Sequence, residues 1–463
     1  MQRSCSRRRP SFSFTKPPDD GSVKVEARPQ RSLGRLTLNT FANLAFGIGL
    51  QIGAGIAVAR VLGPAAKGQI AYAGYIVALA VTAAEGVRAA VSHYMGPRGL
   101  PRATVWGTAL RLIAGLALCG TALALSLAAT DRTHALAYLA AAIVIPFALY
   151  LQVINVVYQL SHRLERINLQ NTLTIGGGAS LAILVAVVAF HAGVPAVLGI
   201  WGAGYVVAAL WGRTSLRAML GGKPSFDHPT LLRSAALFGG RASLAAVIAF
   251  LALRVDVFIV AAKLAPATLG VYTLALASSE LILLASRSLT WSSTGTIATL
   301  ESESDAADLT AKIVRGTLYA GLAVALPLFA FGPWAIGLVY GERFAASGAI
   351  LRIVLPGIVL YGADGVLSFY LSARRGKPGT LLLLESLSLA LCAALTFAGV
   401  VRYGALGAAA ANTATYALAL LLKAVFFCRE ARISLPALIV PRAGDVPAFL
   451  RGGKASTSTT SAS

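Results

Sequence analysis

Leu62-Gly63-Pro64-Ala65-Ala66-Lys67-Gly68 separates two apolar blocks, residues 36–59 and 69–91. At 1.5 Å per residue each block is about as long as the roughly 30 Å hydrocarbon core of a bilayer is thick. The pattern continues along the chain. Ten further blocks lie at 105–128, 134–158, 168–190, 194–212, 235–262, 268–297, 313–340, 345–372, 378–400 and 404–428, with short charged stretches between them. Glycine and proline within them are tolerable, because neighbouring helices and water satisfy the freed backbone groups. The 463 residues are 57% hydrophobic and only 13% charged, about half the charge of an ordinary soluble domain. Such a chain cannot cover a soluble particle with polar surface. The reading is an all-α polytopic membrane protein.

The net charge of +22 could suggest nucleic acid as a partner, but its distribution excludes it. With the N-terminus inside, 27 of the 40 Lys and Arg fall on the inner side and six on the outer. That is the bias that orients chains in membranes. Both termini are then cytoplasmic, which requires an even number of spans. Residues 1–35, with nine Lys/Arg, are expected to be a disordered cytoplasmic tail, although Arg7-Arg8-Arg9 with Phe12 and Phe14 faintly resembles an export signal. Residues 429–463 are expected to be a second, largely disordered tail. Four scattered cysteines allow no disulfide framework, and five single histidines show no metal spacing, so no metal or cofactor is expected.

The opening motif has a copy. Leu264-Ala265-Pro266-Ala267-Thr268-Leu269-Gly270 repeats L-x-P-A-x-x-G 202 residues later, between the seventh and eighth blocks. Each copy leads into a tyrosine-bearing block, at Tyr72 and Tyr272. A six-span offset preserves orientation, so the halves read as parallel repeats: a lobe over 36–212, a cytoplasmic linker over 213–234 and a lobe over 235–428.

Charged residues inside apolar blocks cost about 2.5–3.5 kcal/mol each at a helix centre. Arg88, Arg254 and Arg287, with Glu85, Asp256, Glu280, Asp364 and Glu385, are therefore expected to face one another or a hydrated cavity between the lobes. Glu85 and Arg88 adjoin on one helix, and Glu280 and Arg287 share a face. Asn39, Asn43, Gly47 and Gln51 form a polar stripe on the first block; Gln152, Asn155 and Gln159 form one on the fourth. Arg111, Arg352 and Lys423 near block ends are expected to snorkel. Gly176-Gly177-Gly178 is read as a close-packing patch inside a helix, and Glu301-Ser302-Glu303-Ser304-Asp305 as a solvated connector.

Four stretches in order carry a family resemblance. They are Ala59-Arg60-Val61-Leu62-Gly63-Pro64 through Tyr72; Leu253-Arg254-Val255-Asp256 leading to Leu269-Gly270-Val271-Tyr272; Val339-Tyr340-Gly341-Glu342-Arg343-Phe344 with Leu351-Arg352-Ile353; and Gly404-Ala405-Leu406-Gly407. Over 36–428 the chain resembles the polysaccharide-biosynthesis flippases of the multidrug/oligosaccharidyl-lipid/polysaccharide exporter (MOP) superfamily. The resemblance implies about twelve transmembrane helices in two six-helix parallel-repeat lobes around a central cavity, working by alternating access in the bacterial inner membrane. It implies as cargo a polyprenyl-diphosphate-linked oligosaccharide for exopolysaccharide, capsule or O-antigen assembly. Membrane lipids, a polysaccharide polymerase and glycosyltransferases would be its partners. Arg88, Arg254 and Arg287 are the positional candidates for holding the diphosphate, and Glu85, Asp256, Glu280 and Asp364 for ion coupling or pairing. Asn39, Asn43, Gln51, Gln152 and Asn155 would line the cavity. A drug or cation exporter of the same superfamily would favour an acidic or aromatic cavity. A polymerase or ligase would need a sizeable outer loop, and no hydrolase or metalloprotease motif is present, so an enzyme is not expected.

Overall fold

The computed structural model describes residues 33–96, 98–161, 163–220, 223–226, 228–284, 286, 297, 300 and 302–440, without the side chains of 33–45, 164, 217, 218, 373 and 378. Arg287, the side chains of Asn39 and Asn43, and most of both expected tails lie outside that set. Of the N-terminal unit, Met1–Ala42, the described part is helical backbone from Leu33; the remaining architecture belongs to the unit Asn43–Ser463.

All regular structure among the described residues is helical. The helices are α1 Leu33–Ala83, α2 Glu85–Met95, α3 Arg102–Thr130, α4 Ala135–Leu160, α5 Leu164–Leu173, α6 Gly178–Phe190 and α7 Val194–Leu220. They continue with α8 Pro229–Lys263, α9 Pro266–Ser279, α10 Glu303–Tyr340, α11 Ala345–Phe369, α12 Pro378–Ala431 and the short α13 Leu435–Ile439. Among the described residues, ten stretches are long and apolar enough to cross a membrane. Two of these, Phe46–Met95 and Gly379–Ala431, have 50 and 53 residues. A straight helix of that length would run about 75 Å, more than twice the apolar core of a bilayer. Each is broken at a glycine of positive φ, Gly63 (82°) in α1 and Gly404 (59°) in α12. Each therefore supplies two crossings, and the twelve blocks of the sequence are recovered.

The fifth block departs from expectation. It is two helices, α5 and α6, joined by a turn at Thr174–Gly177. The amides of Gly176 and Gly177 both donate to the Asn171 carbonyl, at 2.8 and 3.2 Å. A Cβ on Gly177 would lie 2.0 Å from the Thr172 oxygen. The glycines thus serve a turn that folds back on its own carbonyls, not a packing patch inside a continuous helix. The acidic stretch near residue 303 is likewise no loose connector. Ser302 caps α10, accepting from the Asp305 amide at 3.3 Å, and Glu303 and Asp305 occupy the first turn, where the helix dipole favours them. Beyond 428 the chain stays ordered to residue 440. Arg315 donates to the Ala437 carbonyl, and Tyr319 donates to that of Ile439 at 2.9 Å.

The two copies of the opening motif meet each other. A Cβ on Gly68 would lie 2.2 Å from the Pro266 oxygen, and one on Gly270 would lie 1.9 Å from the Pro64 oxygen. Position 64 faces 270 and position 68 faces 266, a reciprocity expected of a local two-fold relation, and only glycine permits so close an approach. Further side-chain contacts cluster around this approach. Arg60 donates to the carbonyls of Leu338 and Val339. His134 Nε2 is 3.0 Å from the Ala261 oxygen, and the Tyr72 ring packs against His134, Tyr138 and Phe258. About 27 Å farther along the second block (eighteen residues at 1.5 Å) a second glycine pair closes the opposite end. A Cβ on Gly86 would lie 1.8 Å from the Gly239 oxygen, and Ser243 donates to the Ala83 carbonyl at 2.6 Å. The two close backbone approaches thus lie at opposite ends of the second block.

Candidate functional site

Between these two closures the charged side chains are grouped chiefly on the helices after residue 229. Arg254, on α8, is 6% exposed. Its Nη2 donates to Glu280, the residue following α9, and its guanidinium stacks 5.5 Å from the ring centre of Tyr75 on α1. Nη1 is buried without a hydrogen-bond partner. Spacing puts Glu280 on one face with Arg287, which lies outside the described residues; the described partner of Glu280 is Arg254, 26 residues away on a neighbouring helix. Glu280 keeps about a third of its side chain accessible, so the link is dry on the arginine side and open on the carboxylate side.

Two residues on, Asp256 is fully buried. Its Oδ2 accepts from the Tyr272 hydroxyl and, at 2.9 Å, from the Asn412 amide, while Oδ1 has no donor. Arg254 and Asp256 thus turn to different sides of α8, as their spacing predicts, and both are engaged.

Lys423 on α12 corrects the sequence reading. It does not snorkel: it is 1% exposed and donates to Asp364 Oδ2 at 2.7 Å, Glu385 Oε1 at 2.6 Å and Ser368 Oγ at 3.0 Å. Its acidic partners stand 59 and 38 residues away, on α11 and earlier on α12, so no single-helix pattern reveals them. A lysine at bilayer depth is kept by two carboxylates, which is how such charges are normally tolerated. By contrast Arg111, 5.2 Å over the Phe226 ring, and Arg352, bonded to the Phe329 carbonyl at 3.0 Å, behave as end-of-helix cations.

In the first half Arg88 donates to Glu85 at 2.7 Å within α2, and both side chains are more than a third exposed. Gln51 lines a cavity of about 250 Å³ with Asn168, Asn171, Thr172 and the Gly176 turn, an amide-rich wall built by the break between α5 and α6. Sequence reading found Gln51 but missed Asn168 and Asn171, because the fifth block was taken as one continuous helix. On α4, Gln152 is half-buried and Asn155 Oδ1 is buried without a partner. Among the described residues no group of three His, Cys, Asp or Glu could hold a metal.

At the inner end an ionic knot ties three segments together. Arg375 pairs with Glu303 at 2.8 Å and Glu430 at 2.7 Å, and Lys377 pairs with Glu430 at 2.6 Å. Donation to the Glu430 carboxylate holds the Arg375 pKa above its ordinary value, so its charge is constant through the physiological range.

Helices meeting across a two-fold seam, with ionic groups buried beside it, can be compared with known proteins. Residues 57–348 match the family described as "Polysaccharide biosynthesis protein". The chain belongs to that family. No curated protein matches the sequence. Among solved structures, "Lipid II flippase MurJ, inward closed conformation" superposes with a TM-score of 0.70 at 11% identity, covering 87% of this chain and 89% of that one. An inward-facing multidrug resistance MATE family transporter of the MOP superfamily superposes with a TM-score of 0.65 at 18% identity, covering 85% and 98%. A MOP superfamily transporter from Pyrococcus furiosus, described as having a binding pocket of reverse polarity, gives 0.58 at 17%, covering 88% and 95%. At these identities the likeness is one of fold: this polysaccharide-biosynthesis chain is similar in architecture to the MOP transporters.

Proposed function

We propose that the protein is a flippase, not an enzyme, moving a polyprenyl-diphosphate-linked oligosaccharide from the inner to the outer leaflet by alternating access, for surface polysaccharide assembly. The observation that carries this reading is Arg254: a buried guanidinium beside the seam, stacked on Tyr75 of the other half, with one nitrogen unsatisfied. A buried charged donor left unpaired costs about 1–3 kcal/mol or more, and a phosphate oxygen would relieve it. Arginine's planar fork suits that anion. In the closed form Glu280 occupies part of the fork, so cargo would displace a partly accessible carboxylate. Outward movement of an uncompensated anion is favoured by about 2.3 kcal/mol per charge per 100 mV.

Arg88, and Arg287 beyond the described residues, are proposed as further diphosphate contacts. The amides around Gln51 are proposed to meet sugar hydroxyls, with Asn39, Asn43, Gln152 and Asn155 extending that polar lining. Asp256, Asp364, Glu85 and Glu280 are proposed carriers of any coupling ion. The proposed setting is the bacterial inner membrane, with both termini cytoplasmic, lobes over 36–212 and 235–428, and a polymerase and glycosyltransferases as neighbours.

The alternative is a multidrug or cation exporter on the same scaffold. It would favour an acidic or aromatic cavity, whereas three acids here each have at least one partner: Asp364 and Glu385 pair with Lys423, and Asp256 accepts from Tyr272 and Asn412. Reconstituted vesicles carrying a fluorescent polyprenyl-diphosphate oligosaccharide test the choice. Arg254→Ala should lower the flipping rate tenfold or more, with Arg254→Lys intermediate. Undiminished flipping by Arg254→Ala, or drug hypersensitivity without a polysaccharide defect on deletion, would overturn it.

A further inference from the structure

A cavity of about 950 Å³ lies away from the seam. It lies within the first half, between α3, α4 and α7, and the segment joining the two halves forms one wall. Its body is hydrocarbon and aromatic. Trp106 and Tyr150 meet edge to face at 6.0 Å, and Phe147 and Leu216 continue the lining. Its one charged edge carries Arg213 and Lys223, both exposed, and among the described residues neither has a carboxylate partner.

The wall made by the joining segment is fixed in place. The Ser225 amide donates to the Ala103 carbonyl at 3.1 Å, and a Cβ on Gly107 would lie 1.9 Å from the Ser225 oxygen. Phe226 is covered by the Arg111 guanidinium. The strap is thus pinned to α3, with Lys223 held over the groove opposite Arg213, which lies one turn before the inner end of the Val194–Leu216 span.

A groove of this size is at the upper end of the roughly 300–1,000 Å³ of ordinary ligand sites. Apolar walls at membrane depth, with cations only at the inner edge, fit one ligand chemistry: a hydrocarbon chain below and an anionic phosphate at the interface. Basic pockets between transmembrane helices on the cytoplasmic side bind acidic head groups for this reason. The cavity shares α4 with Gln152 and Asn155, but none of its lining residues is among those proposed to meet the cargo, so its occupant is a separate ligand.

We propose that this groove is a resident binding site for an anionic glycerophospholipid of the inner leaflet, its phosphate between Arg213 and Lys223 and an acyl chain against Trp106 and Phe147. Because the strap is both the wall of the site and the link between the halves, the bound lipid braces the link. The inference is independent of the cargo and stands whether the protein flips sugar lipids or exports drugs.

The full chain in nanodiscs containing phosphatidylglycerol or phosphatidylcholine with identical acyl chains tests it. Native mass spectrometry counts retained lipid, and doxyl-labelled lipid reports contact through the quenching component that Trp106→Phe removes. Phosphatidylglycerol should be retained and should quench Trp106. Arg213→Gln and Lys223→Gln should each cut its retention about fivefold, and the pair about twenty-fivefold, while phosphatidylcholine is unaffected. Leu210→Trp, at an exposed lining position, should displace the lipid without removing charge, so loss of fold by one variant does not decide the matter. Equal retention of both lipids, or an undiminished double variant, overturns the site. Displacement by equimolar polyprenyl phosphate, or by millimolar inorganic phosphate, overturns the assigned occupant.

Discussion

Gly86→Val should wedge the inner end of the protein open. A Cβ at Gly86 would stand 1.8 Å from the Gly239 oxygen, about 1.6 Å short of the 3.4 Å at which ordinary contact begins. The obstacle is backbone, so no side chain can rotate away and the helices must part. Overpacking of this kind costs about 1–3 kcal/mol. Charged only to the inner-closed form, that shifts the balance toward inner-open by about 5- to 140-fold. Ser243 bonds the Ala83 carbonyl beside the contact, so Ser243→Cys in a background lacking the native cysteines reports opening through an impermeant maleimide applied from the inner side. Its labelling rate should rise within that range, and transport, which must pass through the inner-closed form, should fall in proportion. Gly68→Val is the mirror experiment. With 2.2 Å to the Pro266 oxygen it should expose Leu269→Cys, a position buried at the outer contact, and leave Ser243→Cys unreactive. If both valines left both reporters unchanged, or if Gly86→Val exposed the outer reporter, the two glycine pairs would not be the gates.

Lys423→Met should destabilise the protein by about 3–5 kcal/mol, because it strands two buried carboxylates; adding Asp364→Asn and Glu385→Gln should restore most of the loss in a thermal melt of the purified protein. Gly404→Ala should cost about 1–2 kcal/mol, and that cost is conformational, since nothing stands within 4 Å of its Cβ while φ is 59°. Gln51→Ala and Asn171→Ala should weaken binding of the sugar-bearing lipid several-fold in a flotation assay and leave binding of the bare polyprenyl diphosphate unchanged.

What could be read from the residues alone follows from the range of each physical signal. Block length is local, so the crossings were legible, including those hidden in the 50- and 53-residue stretches broken at Gly63 and Gly404. The repeated L-x-P-A-x-x-G was legible as a duplication. That its two copies touch was not, because contact depends on how the halves close. Intrahelical pairing was legible for Glu85 and Arg88; the link of Glu280 to Arg254 was not, because it crosses a helix boundary. Lys423 was misread for a related reason: position near a block end signals snorkelling only when no acid faces it, and Asp364 comes from another helix. A glycine run marks either close packing or a break, and only the carbonyls that Gly176 and Gly177 meet distinguish the two.

The symmetry of the frame and the asymmetry of its chemistry together suggest where motion resides. The backbone contacts repeat: Gly68 and Gly270 exchange equivalent carbonyls at an offset of 202 residues. At that same offset Arg254 corresponds to Ile52, Asp256 to Ala54, Glu280 to Ala78 and Glu385 to Ile183, so these four charges have apolar counterparts in the first half. A rocking mechanism needs only matched surfaces that can part and rejoin, which glycine-lined backbone supplies without polar groups to desolvate. Buried ions require the opposite, partners held at fixed distance, because separating Lys423 from its carboxylates at bilayer depth would cost several kcal/mol. The helices carrying Arg254, Asp256 and Lys423 are therefore the ones least able to shear against one another. If the proposed alternating access holds, conformational change should be confined to the seam, where the glycine pairs lie and where Arg254, bonded within its own half and stacked on Tyr75 of the other, would break its aromatic contact whenever the halves separate.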